Sequence, residues 1–75
     1  MQINKIKTKK SVSEIISELG SFLIEARTAE EIKKEIKDRK GHNINLQDIR
    51  VNLLYLLRRE KIKRKKEGGS YKYHT

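Results

Sequence analysis

The chain contains no cysteine, which excludes a disulfide framework and any thiolate metal site as a supplement to its core. Long apolar runs are missing as well. The opening MQINKIKTKK has no stretch suited to a secretory leader, and nothing in the chain approaches the ~20 apolar residues of a membrane-spanning helix. No internal repeat or low-complexity tract is present. With 75 residues there is room for one domain and one small core. A chain of this size buries roughly 60% of the surface that its unfolded form exposes, which leaves no large interior pocket. The expectation is a soluble, cytoplasmic protein with no membrane association.

Groupings that support catalysis are also lacking. His42 falls in a loop region and His74 near the end, without cysteine or regularly spaced carboxylates beside either, so no metal or cofactor is expected. Glu30 and Glu31 are adjacent and point in different directions on a helix, so they do not form a general acid–base pair. Gly68-Gly69 lacks the following helix that a phosphate-binding loop requires. An enzyme is not expected.

What the sequence does have is positive charge, placed unevenly. The formal net charge is +9. Residues 1–10 carry four lysines and no acid. Residues 11–57 carry seven basic and eight acidic groups, and residues 58–75 carry eight basic and two acidic groups. A nearly neutral body with two cationic ends points to a polyanionic partner.

Local signals divide the chain into a mobile basic tail over 1–10 and a domain over 11–75. Ser11 and Glu14 have capping-box spacing, and Val12, Ile15, Ile16, Leu19, Phe22, Leu23 and Ala26 follow at helical intervals. This predicts a helix over 11–26, with Gly20 as a candidate kink. Thr28 and Glu31 form a second capping box, opening a helix over 29–40 that Gly41 terminates. Asn45 is a good cap for a third helix over 46–60, with Ile44 placed to staple onto Ile49. Beyond it the period changes to alternation around Glu67-Gly68-Gly69-Ser70, which predicts a hairpin with strands near 61–66 and 70–74. The expected fold class is mainly α with a small C-terminal β-hairpin.

The order helix, capped helix, loop, capped helix and basic hairpin resembles winged helix-turn-helix DNA-binding domains. The resemblance covers residues 12–73 and rests on TAEEIKKEI, IRVNLLYLL and REKIKRKKEGGSYKY. In such families the last helix spaces apolar residues four and then three apart, with another six later at the start of the wing. Ile49, Leu53, Leu56 and Ile62 repeat that spacing. Two departures stand out: Glu60 and Lys61 occupy the place where a glycine usually precedes the wing, and the turn before the third helix is longer than in the tight bacterial form.

The resemblance implies a transcriptional regulator that places its third helix in the major groove of double-stranded DNA. Gln47 and Arg50, on the flank away from the core, are then the candidates for base readout, Gln suiting adenine and Arg guanine. Asn43, Asn52, Arg58, Lys63, Arg64, Lys65, Lys66 and Lys72 are candidates for the backbone or for the wing's approach to the minor groove. Nucleoid association follows from the same reading.

Other readings stay open. An architectural or RNA-binding protein would use the charge without base readout. Val51, Leu54 and Tyr55 also fall on the outer side of the third helix, where thymine methyls, a second copy of the chain or the N-terminal segment through Ile3 and Ile6 are alternative occupants. A weak homodimer, with Ile24 contributing, or a protein-interaction module would use that surface. Tyr71 and Tyr73 either stack on bases or cover the edge of the core.

Overall fold

A computed structural model describes residues 11–75 of the chain. Its element order is α1 (Val12–Ser17), a 3₁₀ segment (Gly20–Ile24), α2 (Ala29–Lys40), α3 (Leu46–Arg58), β1 (Lys63–Glu67) and β2 (Ser70–His74). The three helices and the C-terminal antiparallel hairpin form a layout consistent with a winged helix. The mobile tail expected over 1–10 lies outside the described residues, as do Ile3 and Ile6.

Each helix starts where the capping residues predict. Ser11 Oγ accepts from the Glu14 N–H at 3.2 Å, and the Ser11 N–H donates to the Glu14 carboxylate at 3.0 Å. Thr28 and Glu31 repeat the arrangement at 3.1 and 2.9 Å. Asn45 Oδ1 accepts from the Asp48 N–H at 2.9 Å, and Ile44 is half-buried against the core as the staple requires. Gly41 ends α2 in the left-handed conformation, φ 73°.

The first helix is shorter than the periodicity predicts. Instead of running to residue 26 it stops at Ser17, and Gly20, at φ 57°, opens the 3₁₀ segment. Two causes act together. Glycine enters positive φ without a Cβ penalty, and residues downstream must be extended to meet the hairpin. Arg27 donates its N–H to the Tyr73 carbonyl at 2.9 Å and accepts from the Tyr73 N–H at 2.7 Å, which a helix continuing through Ala26 would not allow. The apolar stripe still reaches the core, because Ile15, Ile16, Leu19 and Leu23 are all buried.

α3 ends two residues before the predicted boundary. Glu60 adopts φ 59°, the Lys61 N–H reaches the Leu56 carbonyl at 2.9 Å, and the Glu60 N–H reaches Leu57 at 3.0 Å. This is the Schellman arrangement, with Glu60 taking the conformation usually left to glycine. The missing glycine before the wing therefore changes the residue and keeps the turn. The reversal occupies residues 59–62, so β1 starts at Lys63 instead of 61.

In the hairpin, Lys63 pairs with His74, Lys65 with Lys72 and Glu67 with Ser70. Gly68 and Gly69 both have positive φ, as a two-residue type I′ turn needs. Ile62 and Tyr73 carry the hairpin onto the helices, joining Ile32, Ile36, Ile49, Leu53 and Leu56 in the core. A further bond from the Thr75 N–H to the Leu23 carbonyl at 2.9 Å secures its end. Two strands alone are marginal in water, and these anchors make the hairpin part of the body. No helix among the described residues is long and apolar enough to cross a membrane.

Candidate functional site

The antiparallel register sorts the hairpin side chains onto two faces. Arg64 lies opposite Tyr73 and Lys66 opposite Tyr71, while Lys65 lies opposite Lys72. Tyr73 is buried in the core and Tyr71 is 46% exposed, so the two tyrosines have different surroundings. Tyr73 covers the core edge, whereas Tyr71 carries the Arg64 guanidinium 4.1 Å from its ring centre. Lys66 Nζ lies 5.8 Å from the same ring. An aromatic plane with a cation over it presents both stacking surface and charge.

Lys65 and Lys72 would repel across the strands. Glu67 separates them, at 2.9 Å from Lys72 and 3.7 Å from Lys65. The hydrogen bond and charge of Lys72, with the charge of Lys65, hold the Glu67 carboxyl below its ordinary value. The same bond raises the Lys72 ammonium. Lys63, at the base of the hairpin, is exposed.

Between the hairpin, the start of α2 and the outer side of α3 runs a cleft of about 360 Å³. Thr28, Ala29 and Glu30 form one wall, Arg50 and Leu54 another, and Arg64, Gly69, Ser70, Tyr71 and Tyr73 the third. Arg50 reaches across to Glu30, with 3.3 Å between guanidinium nitrogen and carboxylate oxygen. Both groups are solvent-exposed, so the pair is weak and opens easily.

The remaining candidates scatter around this cleft. Gln47 and Arg58 are exposed near the two ends of α3, and Asn43 is exposed in the loop before it. Asn52 is half-buried and donates its amide to the Asp48 carbonyl one turn back at 2.8 Å. Val51, Leu54 and Tyr55 are 52%, 42% and 48% exposed. Leu54 borders the cleft, while Tyr55 lies about 100° further round the helix, with Arg59 5.4 Å from its ring centre. Ile24 is 70% exposed on the 3₁₀ segment that packs against β2, and it does not line the cleft shared by α3 and the hairpin.

Two contributors, Glu30 and Arg27, escaped the sequence reading, and Tyr71 was left between two roles. Glu30 meets Arg50 across twenty positions of chain, so no local spacing reveals it. The pairing of Tyr71 with Arg64 follows from the register, since a strand partner two positions from Arg64's own lies on the same face. Arg27 stacks on Phe22 at 4.2 Å and donates to the Phe22 carbonyl at 3.0 Å, holding the strand-like residue beside Tyr73. Among the described residues no group of three or more His, Asp or Glu side chains is arranged to hold a metal ion. The cleft thus brings the Arg50 guanidinium and Leu54 of α3 to face Arg64 and Tyr71 of the hairpin. No protein-family model, curated protein or solved structure matches this chain.

Proposed function

We propose that this protein binds duplex DNA as a winged-helix transcriptional regulator, with α3 in the major groove and the β1–β2 hairpin against the adjoining backbone or minor groove. The observation that carries the reading is the shared cleft. The outer side of α3 and the Arg64–Tyr71 face of the hairpin border one space, so a single elongated polyanion touches both. The major groove, about 12 Å wide, admits a helix, and the hairpin brings Arg64 and Lys66 to the phosphates beside it. Gln47 and Arg50 supply amide and guanidinium donors for base edges. Action on DNA would place the protein with the nucleoid.

The half-exposed Val51, Leu54 and Tyr55 favour a second reading, in which the domain is a protein-interaction module. Binding measured against salt separates the two. If about six phosphates are neutralised, log K against log salt has a slope near −5 to −6 for duplex DNA. Single strands and duplex RNA are the comparison ligands. A flat salt response, or equal affinity for all three, removes the case for a duplex-specific groove reader.

A further inference from the structure

Resting on the duplex-DNA reading, we propose that Val51 and Leu54 of α3 read thymine methyl groups, so that the preferred sites carry thymine beneath the middle of this helix. At 100° per residue, Gln47, Val51, Leu54 and Arg58 fall within an arc of about 60°. That arc lies opposite Ile49, Leu53 and Leu56, which are buried. Val51 and Leu54 are therefore the centre of the outward face, at 52% and 42% exposure. Gln47 stands before them along the helix and Arg58 after them, with Arg50 and Arg64 along the cleft edge beside Leu54.

An apolar pair inside a frame of arginines selects its occupant by charge. A second copy of the chain, docked face to face about a two-fold axis, would bring Arg58 and Arg64 of both copies together and repel, while Arg50 is already paired with Glu30. The major groove has the complementary pattern. Its walls are phosphates, and among its base edges the thymine C5-methyl is the apolar group. Arg58 and Arg64 at the rim meet the walls, Arg50 reaches a base edge beside Leu54, and the aliphatic side chains meet the methyls. Tyr55, with Arg59 against its ring, lies on the flank away from the cleft and takes no part.

The test uses the full chain and short duplexes of random sequence. Rounds of selection are followed by resynthesis of the enriched sequences with deoxyuridine in place of thymidine, which removes the methyl and keeps the base pairing. The expected result is thymine enrichment and about fourfold weaker binding for each contacted methyl removed. Leu54→Ala should bind the thymine duplex about as weakly as the wild type binds the uracil duplex, losing much of the difference between the two, with the slope of log K against log salt unchanged. Equal affinity for the two duplexes, with salt-dependent binding intact, overturns methyl readout and leaves the duplex reading standing. Failure to bind any duplex overturns both. A stable dimer in sedimentation equilibrium that Leu54→Asp dissociates assigns the face to a second copy and also overturns the proposal.

Discussion

Arg50 is held by an anion in the free protein and would exchange it for another in the complex. Its bond to Glu30 spans 3.3 Å between exposed groups, and such pairs contribute about 0–1 kcal/mol to stability. Glu30 also sits in the wall of the cleft, where it repels any phosphate that approaches. Replacing it with glutamine should leave the thermal midpoint nearly unchanged and raise affinity for every duplex by about twofold to fivefold at low salt. Unchanged affinity would place the phosphates elsewhere. Arg50→Ala separates readout from attraction: loss of a base contact costs about 1–3 kcal/mol and relaxes preference at one position of the site. A uniform loss over all sequences would make Arg50 a phosphate contact and favour an architectural role. At this scale the sequence was only partly informative. Helical phase was enough to put Gln47 and Arg50 outside the core. The Glu30 partner was invisible because the two residues belong to different helices. The bond from Asn52 back to the Asp48 carbonyl follows a pattern common for short polar side chains in helices, and it engages one of the amide donors assigned to DNA.

The helix starts were legible because capping is local chemistry: a hydroxyl or amide oxygen meets an N–H three residues on. Helix ends were less so, since they depend on where the chain must go next. α1 gives way at Gly20, φ 57°, and further on Arg27 lies extended beside Tyr73, a pairing 46 residues away that no local signal announces. α3 stops at a turn that forces Glu60 to φ 59°. A left-handed non-glycine residue costs about 1–2 kcal/mol, and the greater freedom of glycine in the unfolded chain offsets about 0.4–1 kcal/mol of any gain. Glu60→Gly should therefore stabilise the fold by about 0.5–1 kcal/mol, raising the thermal midpoint by about 2–8 °C. A lower midpoint would mean that the Glu60 side chain contributes more than its backbone costs. The hairpin makes a separate prediction from Glu67. Its carboxyl is lowered in the folded state by Lys72 and Lys65, so its contribution is complete above the ordinary value of 4.5 and is lost as pH falls through the lower folded value. Amide signals of residues 63–74 should show the hairpin loosening on acidification below that range. Glu67→Gln should weaken the hairpin at neutral pH and flatten this part of the acid response, and an unaltered response would assign the acid sensitivity to other carboxylates.

Over the whole molecule, charge is gathered at the two ends of the chain while the segment between is almost balanced. In that segment several ion pairs are local or structural, such as Lys34 with Asp38, Arg39 with Glu35 and Lys40 with Glu18. Cations engaged in this way add little to a long-range field. The C-terminal segment differs: Arg58, Lys61, Lys63, Arg64 and Lys66 are exposed, and no acidic side chain forms a salt bridge with them among the described residues. Lys5, Lys7, Lys9 and Lys10 supply the other concentration of charge, outside the described residues. If both ends serve one polyanion, their contributions to counterion release add, because each neutralised phosphate changes the salt slope by about 0.9. Replacing those four lysines with glutamine should make the slope for duplex DNA shallower by about 2–4, without altering the sequences enriched by selection. Base preference would be unaffected because α3 is unchanged, and the thermal midpoint should stay where it was. A slope that does not move would confine the phosphate contacts to the C-terminal segment and leave the N-terminal lysines to another partner. A change in the enriched sequences would instead assign the first ten residues a share in base readout.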